Sequence, residues 1–261
     1  MPVQLNNGIN HMRAIMLAAG TGSRLSNNDR SHLPKSLLKF GGKSLLQRHI
    51  EILQSKGIGK LALVVGYRAE DIVEEVNSIG AEEFVDIVIN ERFLESSMVS
   101  LWHARETLKC GDDILFMDAD VLYHPDLIGR LVGQNESDYV PMDKNFEHGD
   151  EPVKLCIRDG QIVEFRKIIK TECDEMGEWP GFLRWSSDSA SRLAEIISRY
   201  VDEGKTDEPY EEAFREILLA PETNINFEDI SGLPWIEIDF PEDLIKAHDE
   251  ILPAIERYVG G

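Results

Sequence analysis

The stretch AIMLAAGTGSRL, residues 14–25, joins a short apolar run to a loop of small residues. A short apolar run that ends at a glycine is typical of a buried β-strand. The small residues GTGS (20–23) let backbone N–H groups approach a ligand closely, and such loops bind anions. The same glycines would also suit a tight strand-to-helix turn that binds nothing. The stretch therefore predicts a strand followed either by an anion-binding loop or by a simple turn.

Two cations, Arg24 and Lys35, follow this loop. Arg24 offers a planar fork that suits phosphate oxygens, and Lys35, which follows Pro34, offers a point charge. The whole chain has a formal net charge of −21, so a polyanionic ligand needs cations placed close to it. A small-residue loop with two nearby cations predicts a triphosphate site. The alternative is that Lys35 is an ordinary solvated surface lysine.

Composition excludes several classes of partner and favours one domain. The charge of −21 argues against binding to a nucleic-acid backbone or to an anionic membrane surface. No apolar run approaches about 20 residues, the length that a membrane-spanning helix needs. A chain of 261 residues with 42% hydrophobic residues can build one sizeable core. We expect a flexible N-terminal extension over residues 1–12 and a single domain over residues 13–261.

Apolar strands and amphipathic helices alternate in the first half of the chain. Short apolar runs predict the strands, and apolar residues at helical spacing predict the helices between them. This alternation is typical of an α/β fold, here with a mostly parallel, Rossmann-like central sheet and helices on both faces. The predicted strands are 14–19, 60–67, 84–90 and 113–121, and the predicted helices are 44–57, 69–80 and 97–109.

The second half is less regular and predicts a small β-hairpin inserted into the domain. Segment 151–168 has the pattern of two strands around Asp159 and Gly160, a pair that favours a two-residue turn. We expect Pro253 to kink or break the closing helix. The other predicted elements are helices 188–204 and 209–219, strand 233–239 and the closing helix 241–259.

Carboxylates at two strand ends predict a metal site. Asp118 and Asp120 lie at the carboxyl end of an apolar strand, where ligands bind in open α/β sheets. Asp239 ends a second apolar strand, and Glu237 lies on the same side of that strand. Phosphoryl chemistry needs a divalent ion, and Mg²⁺ prefers hard oxygen ligands such as carboxylates. The competing interpretation is helix capping, which we favour for Asp243.

The cysteines and one histidine are expected to have no functional role. Cys110, Cys156 and Cys173 are far apart and odd in number, and their spacing fits neither a metal site nor a disulfide framework. We therefore expect free thiols and a location in the reducing cytoplasm. His49 lies on an apolar helical face, which predicts a core residue.

Three segments together resemble the signature of the nucleotidyltransferases, which join a nucleoside triphosphate to a phosphorylated small molecule. The first is LAAGTGSRL followed by LPKSLLKFGGKSLLQRHI, the second is ILFMDADVLYHPDL and the third is PWIEIDFPEDLIKA. Within that family, VINERFLESSMVSLWHARETL (88–108) and WIEIDFPED are similar to the phosphocholine and phosphonate cytidylyltransferases. The resemblance extends from about residue 13 to about residue 255.

The resemblance implies a metal-dependent condensation. CTP and a phosphorylated small alcohol such as phosphocholine, or a phosphonate, would give a CDP- or CMP-linked product and pyrophosphate. Asp120 and Asp239 would bind Mg²⁺, and Asp118 would support them and contact nucleotide and acceptor. One alternative is a sugar-1-phosphate nucleotidyltransferase that uses UTP, GTP or dTTP, and a molybdenum-cofactor guanylyltransferase is a more distant one. A non-catalytic nucleotide-binding regulatory protein is the alternative from a different class.

The same resemblance assigns the cations to the phosphates of both reactants. Arg24 would bind the leaving β and γ phosphates, and Lys35 would bind the α-phosphate or the acceptor, so that both act in catalysis. Lys154 and Lys167, on the predicted hairpin, would reach the acceptor phosphate. The residues implied in nucleotide binding are Leu17, Ala18, Ala19, Gly20, Thr21, Gly22, Ser23, Arg24, Lys35, Ser97 and Asp118.

The sequence leaves open what binds the rest of the acceptor. Most of the scattered aromatic residues are expected in the core, and one or two could face a quaternary ammonium group through cation–π contact. Asp138, Asp143 or the EHGDE run (147–151) could instead meet an amine, although a solvated loop is the simpler interpretation of that run. The aromatic residues considered are Trp102, Tyr139, Trp179, Phe182 and Trp185.

Overall fold

The computed structural model describes residues 12–25, 32–133, 138–147, 149–223 and 225–258. The predicted extension over residues 1–12 lies outside these ranges except for Met12, which begins the first strand. The strands are β1 (Met12–Ala18), β2 (Lys39–Phe40), β3 (Lys43–Ser44), β4 (Lys60–Val65), β5 (Val85–Ile89), β6 (Asp113–Asp118), β7 (Val121–Tyr123), β8 (Asp138–Met142), β9 (Lys154–Arg158), β10 (Gln161–Arg166), β11 (Glu175–Glu178), β12 (Phe182–Trp185), β13 (Ile225–Asp229) and β14 (Trp235–Glu237). The α-helices are α1 (Leu45–Ser55), α2 (Ala69–Ser78), α3 (Ser97–His103), α4 (Arg105–Leu108), α5 (Asp126–Val132), α6 (Ser187–Asp202), α7 (Tyr210–Leu218), α8 (Pro241–Lys246) and α9 (Leu252–Arg257).

The central sheet is mostly parallel, as the sequence predicts. Its strand order is β13-β8-β12-β6-β1-β4-β5. Strand β1 pairs in parallel with β4 and β6, and β12 runs antiparallel to β6 and β8. The register of β1 and β6 places Leu17 opposite Asp118. The small-residue loop and the acidic end of β6 therefore leave the sheet side by side.

Apolar side chains fill both faces of this sheet. In β1, Ala14 and Met16 are fully buried on one face and Ile15 on the other, as the alternation of a strand requires. Helices α1, α2 and α5 pack on the first face, and α3, α6 and α7 pack on the second. The predicted α/β layers are confirmed. His49 is a core residue as predicted, with its Nε2 3.1 Å from the carbonyl oxygen of Ala119.

The predicted hairpin is present, together with a third strand that the sequence analysis missed. Strands β9 and β10 pair around Asp159 and Gly160, whose φ angles of +52° and +72° suit a two-residue turn. Strand β11 pairs with the other edge of β9. Its sequence EMGE lacks alternation, and its Gly177 allows close packing, since a Cβ there would lie 2.8 Å from the carbonyl oxygen of Asp143.

The expectation of free thiols is wrong for two of the three cysteines. Cys156 in β9 and Cys173, which precedes β11, form a disulfide with a Cα–Cα distance of 5.3 Å. Their 17-residue separation gave no sign of this because the two are brought together by the pairing of β11 with β9. Only Cys110 is a free cysteine in the described residues. The cytoplasmic location stays a prediction, and the cysteines no longer support it.

Two predicted helices are interrupted. Segment 97–109 forms α3 and α4, which meet at Ala104. The closing helix contains a π-helical turn, Ala247–Ile251, between α8 and α9, and Pro253 lies in the first turn of α9. Proline has no N–H to donate into the preceding turn, so the break falls just before it. No helix in the described ranges is long and apolar enough to cross a membrane.

A short antiparallel pair, β7 with β14, brings distant parts of the chain together. The N–H of Ile238 donates to the carbonyl oxygen of Asp120 at 3.0 Å, so the two segments stay side by side beyond their paired strands. Ile238 is fully buried in a small apolar cluster with Phe40 and Leu122. The pairing therefore sets Asp239 next to Asp120, although more than a hundred residues separate them in the chain.

Candidate active site

The loop after β1 turns tightly at Gly22. Gly22 has a φ of +61°, and the N–H of Leu25 donates to its carbonyl oxygen at 3.2 Å. A Cβ on Gly22 would lie 3.2 Å from the Cγ of Lys35, whereas a Cβ on Gly20 would have no atom within 4 Å. Glycine is therefore required at position 22, because the backbone there is left-handed and the Lys35 side chain lies close to it.

A cavity of about 350 Å³ opens above this loop. Thr21, which was also predicted to bind nucleotide, does not line this cavity. Its carbonyl oxygen lies 2.6 Å from the Nε2 of His32. The structure thus brings together nearly the whole set of residues predicted to bind nucleotide. Those that line the cavity are Leu17, Ala18, Ala19, Gly20, Gly22, Ser23, Arg24, Lys35, Ser97 and Asp118.

Three carboxylates come together in the lining of the cavity. Oxygen atoms of Asp120, Glu237 and Asp239 lie within 4.8 Å of one another. The carboxylate of Asp243 is directed elsewhere: it accepts the N–H groups of Asp239 and Phe240 at 3.0 and 2.7 Å, at the start of α8. Asp243 therefore caps the helix, as predicted, and the side chain of Asp239 lines the cavity.

Both predicted cations contact this cluster. Lys35 Nζ lies 3.0 Å from Asp120 Oδ2 and 2.6 Å from Asp239 Oδ1, and Arg24 Nη1 lies 2.8 Å from Asp239 Oδ2. The side chain of Lys35 is only 13% exposed, so it is not the solvated surface lysine of the alternative interpretation. Burial alone would lower the pKa of Lys35, but the charges of Asp120 and Asp239 outweigh it and raise this pKa.

The cluster has the chemistry of a divalent-cation site. Carboxylate oxygens are hard ligands, and a group of two or three of them suits a hard divalent cation. Glu237 reaches the cavity surface, yet the protein around it and the charges of Asp120 and Asp239 raise its pKa to about 8. The ionised form of Glu237 is thus disfavoured beside Asp120 and Asp239, and a cation bound between them would favour it. Asp120 and Asp239, with Glu237 beside them, are the described residues that would hold a metal ion.

Asp118 is held by a residue that the sequence analysis missed. Its Oδ2 accepts the hydroxyl of Tyr210 at 2.5 Å. Burial, followed by the charge of Asp120, raises the pKa of Asp118 well above its usual range. Gly181 packs against the same carboxylate, because a Cβ there would lie 2.9 Å from Asp118 Oδ2. Tyr210 begins α7 and Gly181 precedes β12, and neither position has a local pattern that indicates this contact.

We predict that Gly181→Ala lowers activity more than stability alone explains. Gly181 has a φ of +88° and Gly111 a φ of +89°, so alanine at either position costs roughly 1–3 kcal/mol of stability. A Cβ on Gly111 meets no atom within 4 Å, whereas one on Gly181 displaces Asp118. Thermal unfolding and turnover of both variants test this, and equal turnover in the two would contradict a role for the Asp118 position.

A second cavity, of about 560 Å³, adjoins the first and shares Arg24, Asp118 and Asp239 with it. Lys167 lines this cavity and lies 3.4 Å from Glu151. Lys154 does not: it is buried, and its ammonium group donates to the carbonyl oxygens of Pro152 and Lys167. Of the two lysines predicted to reach the acceptor, only Lys167 is placed to do so without rearrangement.

A family model described as a MobA-like NTP transferase domain matches residues 14–175, more than half of the chain. The chain belongs to the MobA-like NTP transferase family. The matched region of this NTP transferase begins in β1 and includes Arg24, Lys35 and Asp120. Asp239 lies outside it and joins the site through the pairing of β14 with β7.

Known relatives and solved structures agree with this family. The CTP:phosphoglutamine cytidylyltransferase of Campylobacter jejuni is 27% identical over 252 residues, which cover 89% of this NTP transferase and 98% of the relative. The structure of the CTP:phosphocholine cytidylyltransferase from Streptococcus pneumoniae has a TM-score of 0.71 at 21% identity and covers 92% of this chain and 98% of its own. The inositol-1-phosphate CTP transferase from T. maritima has a TM-score of 0.76 at 19% identity, with 97% and 99% covered.

These comparisons confirm the resemblance to nucleotidyltransferases that the sequence indicates. The two structural similarities are below 25% identity and show a common fold. Each of the three proteins is named for its use of CTP. The prediction from three short segments that this chain is a nucleotidyltransferase is therefore confirmed, together with its fold.

Proposed function

We propose that this NTP transferase moves the CMP group of CTP onto the phosphate or phosphonate of a small molecule and releases pyrophosphate. The observation that carries the proposal is the meeting of two cavities at one cluster of charges. Lys35, Asp120 and Asp239 line the first cavity, where the nucleotide would bind. Asp239 also lines the second cavity, where an acceptor would enter. The names of the relatives support CTP as the nucleotide.

The geometry supports an in-line displacement without a protein nucleophile. An oxygen of the acceptor phosphate attacks the α-phosphorus of CTP, the bond to the β-phosphate oxygen breaks and pyrophosphate leaves. Lys35 and Arg24 line the cavity proposed for the nucleotide, and in this reaction Lys35 would hold the α-phosphate and Arg24 would bind the leaving phosphates. Catalysis is then mostly positioning and charge stabilisation. Mg²⁺ held by Asp120 and Asp239 would supply further neutralisation of the phosphate charge.

We expect CTP to stabilise the protein more than other nucleotides do. In the presence of Mg²⁺, CTP at about 100 times its Kd should add about 2.7 kcal/mol to the free energy of unfolding. For a domain of this size that corresponds to a rise in Tm of roughly 5–10 °C. Thermal unfolding with CTP, UTP, GTP, ATP and dTTP measures it. A larger rise with UTP, GTP or dTTP would favour the sugar-1-phosphate alternative.

Pyrophosphate release across the same nucleotides and a panel of phosphorylated acceptors tests the proposed reaction itself. We expect release with CTP and one class of small phosphorylated or phosphonate acceptor, and loss of release when EDTA removes the metal. CTP binding without release for any acceptor would support the non-catalytic alternative. The joint presence of Arg24, Lys35, Asp120 and Asp239 in one cluster weighs against that alternative.

A further inference from the structure

His49 in α1 contacts the turn between Asp118 and Asp120. Its ring Nε2 lies 3.1 Å from the carbonyl oxygen of Ala119, the residue between these two carboxylates. A carbonyl oxygen can only accept, so Nε2 must carry a proton and donate it. Burial lowers the pKa of His49 to about 4, so the ring is neutral near pH 7 and has one N–H to donate. That N–H is therefore bound to the backbone of the acidic turn.

The other ring nitrogen of His49 contacts Tyr123. Its Nδ1 lies 3.3 Å from the hydroxyl oxygen of Tyr123, which must donate because this nitrogen carries no proton. The two rings are stacked, with centroids 5.3 Å apart and planes inclined by 13°. Tyr123 lies in β7 and pairs with Trp235 of β14, the strand that also contains Glu237. The orientation of the His49 ring is thus fixed by the same two strands that bring the carboxylates together.

Backbone contacts hold the residues on either side of Ala119. The N–H of Asp118 donates to the carbonyl oxygen of Gly181 at 3.0 Å, and the carbonyl oxygen of Asp120 accepts the N–H of Ile238 at 3.0 Å. The carbonyl oxygen of Ala119 belongs to the same planar peptide group as the N–H of Asp120. A contact that fixes this oxygen therefore also fixes the plane from which Asp120 projects its carboxylate.

Packing alone does not explain a histidine at position 49. The side chain is buried among apolar residues, with 1% of the residue exposed. A buried imidazole costs free energy unless both nitrogens are hydrogen-bonded, whereas leucine or phenylalanine would fill this space without that requirement. Here both nitrogens of His49 have partners, and one partner is the backbone next to Asp120. The histidine is therefore accounted for by the hydrogen bond that it donates to the turn.

We propose that His49 is a positioning residue for the metal site: its Nε2–H holds the carbonyl oxygen of Ala119 and so sets the direction of the Asp120 carboxylate toward Asp239. The inference rests on the metal-dependent transfer proposed above and adds a residue that lines neither of the two cavities. Residues that orient metal ligands typically contribute roughly 10- to 100-fold to metal affinity or activity. His49 would act only through the turn, without contact to either reactant.

The Mg²⁺ requirement of variants at position 49 tests this. His49→Phe keeps a flat ring but has no donor. We expect it to raise the free Mg²⁺ concentration that gives half of the Tm rise at fixed CTP by roughly 10- to 100-fold, and to lower kcat for pyrophosphate release by a similar factor. His49→Gln should restore most of the metal affinity, because its amide N–H can extend to the same carbonyl oxygen. Ile50→Ala removes apolar packing from the same helix and no hydrogen bond, so it should lower the Tm without changing this Mg²⁺ concentration.

The outcomes separate positioning from folding. A wild-type Mg²⁺ requirement in folded His49→Phe, or an equal increase in His49→Phe and His49→Gln, would overturn the inference and leave His49 as a core residue only. If His49→Phe does not fold, His49→Asn takes its place under the same criteria, since its shorter amide cannot extend to Ala119. A wild-type protein that releases no pyrophosphate would overturn the proposed function, while the Mg²⁺ concentrations from thermal unfolding would still decide the role of His49.

Discussion

The Asp239→Asn variant is expected to lose on the order of 10³-fold in kcat with CTP and Mg²⁺, equivalent to about 4 kcal/mol of transition-state stabilisation. Asp239 contacts both Lys35 and Arg24 and lies within 4.8 Å of Asp120 and Glu237. Asparagine keeps the shape but removes the charge that pairs with both cations and that would hold a metal ion. The measurement is the initial rate of pyrophosphate release at saturating CTP and Mg²⁺.

Two controls separate this loss from misfolding. Glu242→Gln removes an exposed carboxylate from the same segment, and this residue lies outside both cavities, so its rate should stay near wild type. Circular dichroism of Asp239→Asn should show an intact fold, because Asp243 still caps α8 through its own carboxylate. Near wild-type turnover of Asp239→Asn at saturating Mg²⁺ would remove Asp239 from the metal pair.

The Lys35→Ala variant is expected to lose roughly 10²- to 10³-fold in kcat with a smaller change in KM for CTP. The reason is that a charge beside the reacting phosphorus matters most in the transition state. The variant also leaves Asp120 and Asp239 without the ammonium group that now lies between them. Mg²⁺ alone should therefore raise the Tm of Lys35→Ala more than that of the wild type.

Arg24→Ala is the matched comparison for Lys35→Ala. The phosphates that Arg24 would bind carry charge in the ground state as well, so KM for CTP should rise together with a loss of kcat. Arg24→Lys should restore only part of the activity, because an ammonium group cannot make a bidentate contact. Wild-type kcat and KM in Lys35→Ala would show that the buried lysine has a structural role and no part in the chemistry.

The fold could be predicted from the sequence because its signals are local. Strands β1, β4, β5 and β6 are short, mostly apolar runs, and the helices between them have one apolar face. Strands β8, β12 and β13 of the same sheet were not predicted, because each is short and includes charged residues. The hairpin turn at Asp159 and Gly160 is likewise encoded by two residues that adopt positive φ. Strand β11 and the Cys156–Cys173 disulfide were missed, since both depend on which segment lies beside β9 and on no pattern within their own sequence.

In the candidate site, too, residues with a local sequence signal were predicted and residues that depend on distant contacts were missed. Arg24, Lys35 and Asp120 follow from short motifs, and the structure places them together with Asp239. Asp239 was predicted from the end of its own strand, whereas Tyr210 and Trp235 were not predicted as parts of the site. Tyr210 donates to Asp118 from the start of a helix, and Trp235 fixes Asp143 from a strand of three residues. Their roles depend on side-chain contacts across the fold, which single-sequence patterns do not contain.

The most direct measurement is ³¹P NMR, with mass spectrometry, of the products formed from CTP, Mg²⁺ and each member of the panel of phosphorylated and phosphonate acceptors. The proposed chemistry predicts one product in which the α-phosphorus of CTP and the acceptor phosphorus are joined through oxygen, with an equal amount of pyrophosphate. It also predicts that neither product forms when EDTA removes the metal. Formation of CMP without a linked product, or no consumption of any nucleoside triphosphate with any phosphorylated or phosphonate acceptor, would contradict the assignment of this cleft as a cytidylyltransferase active site.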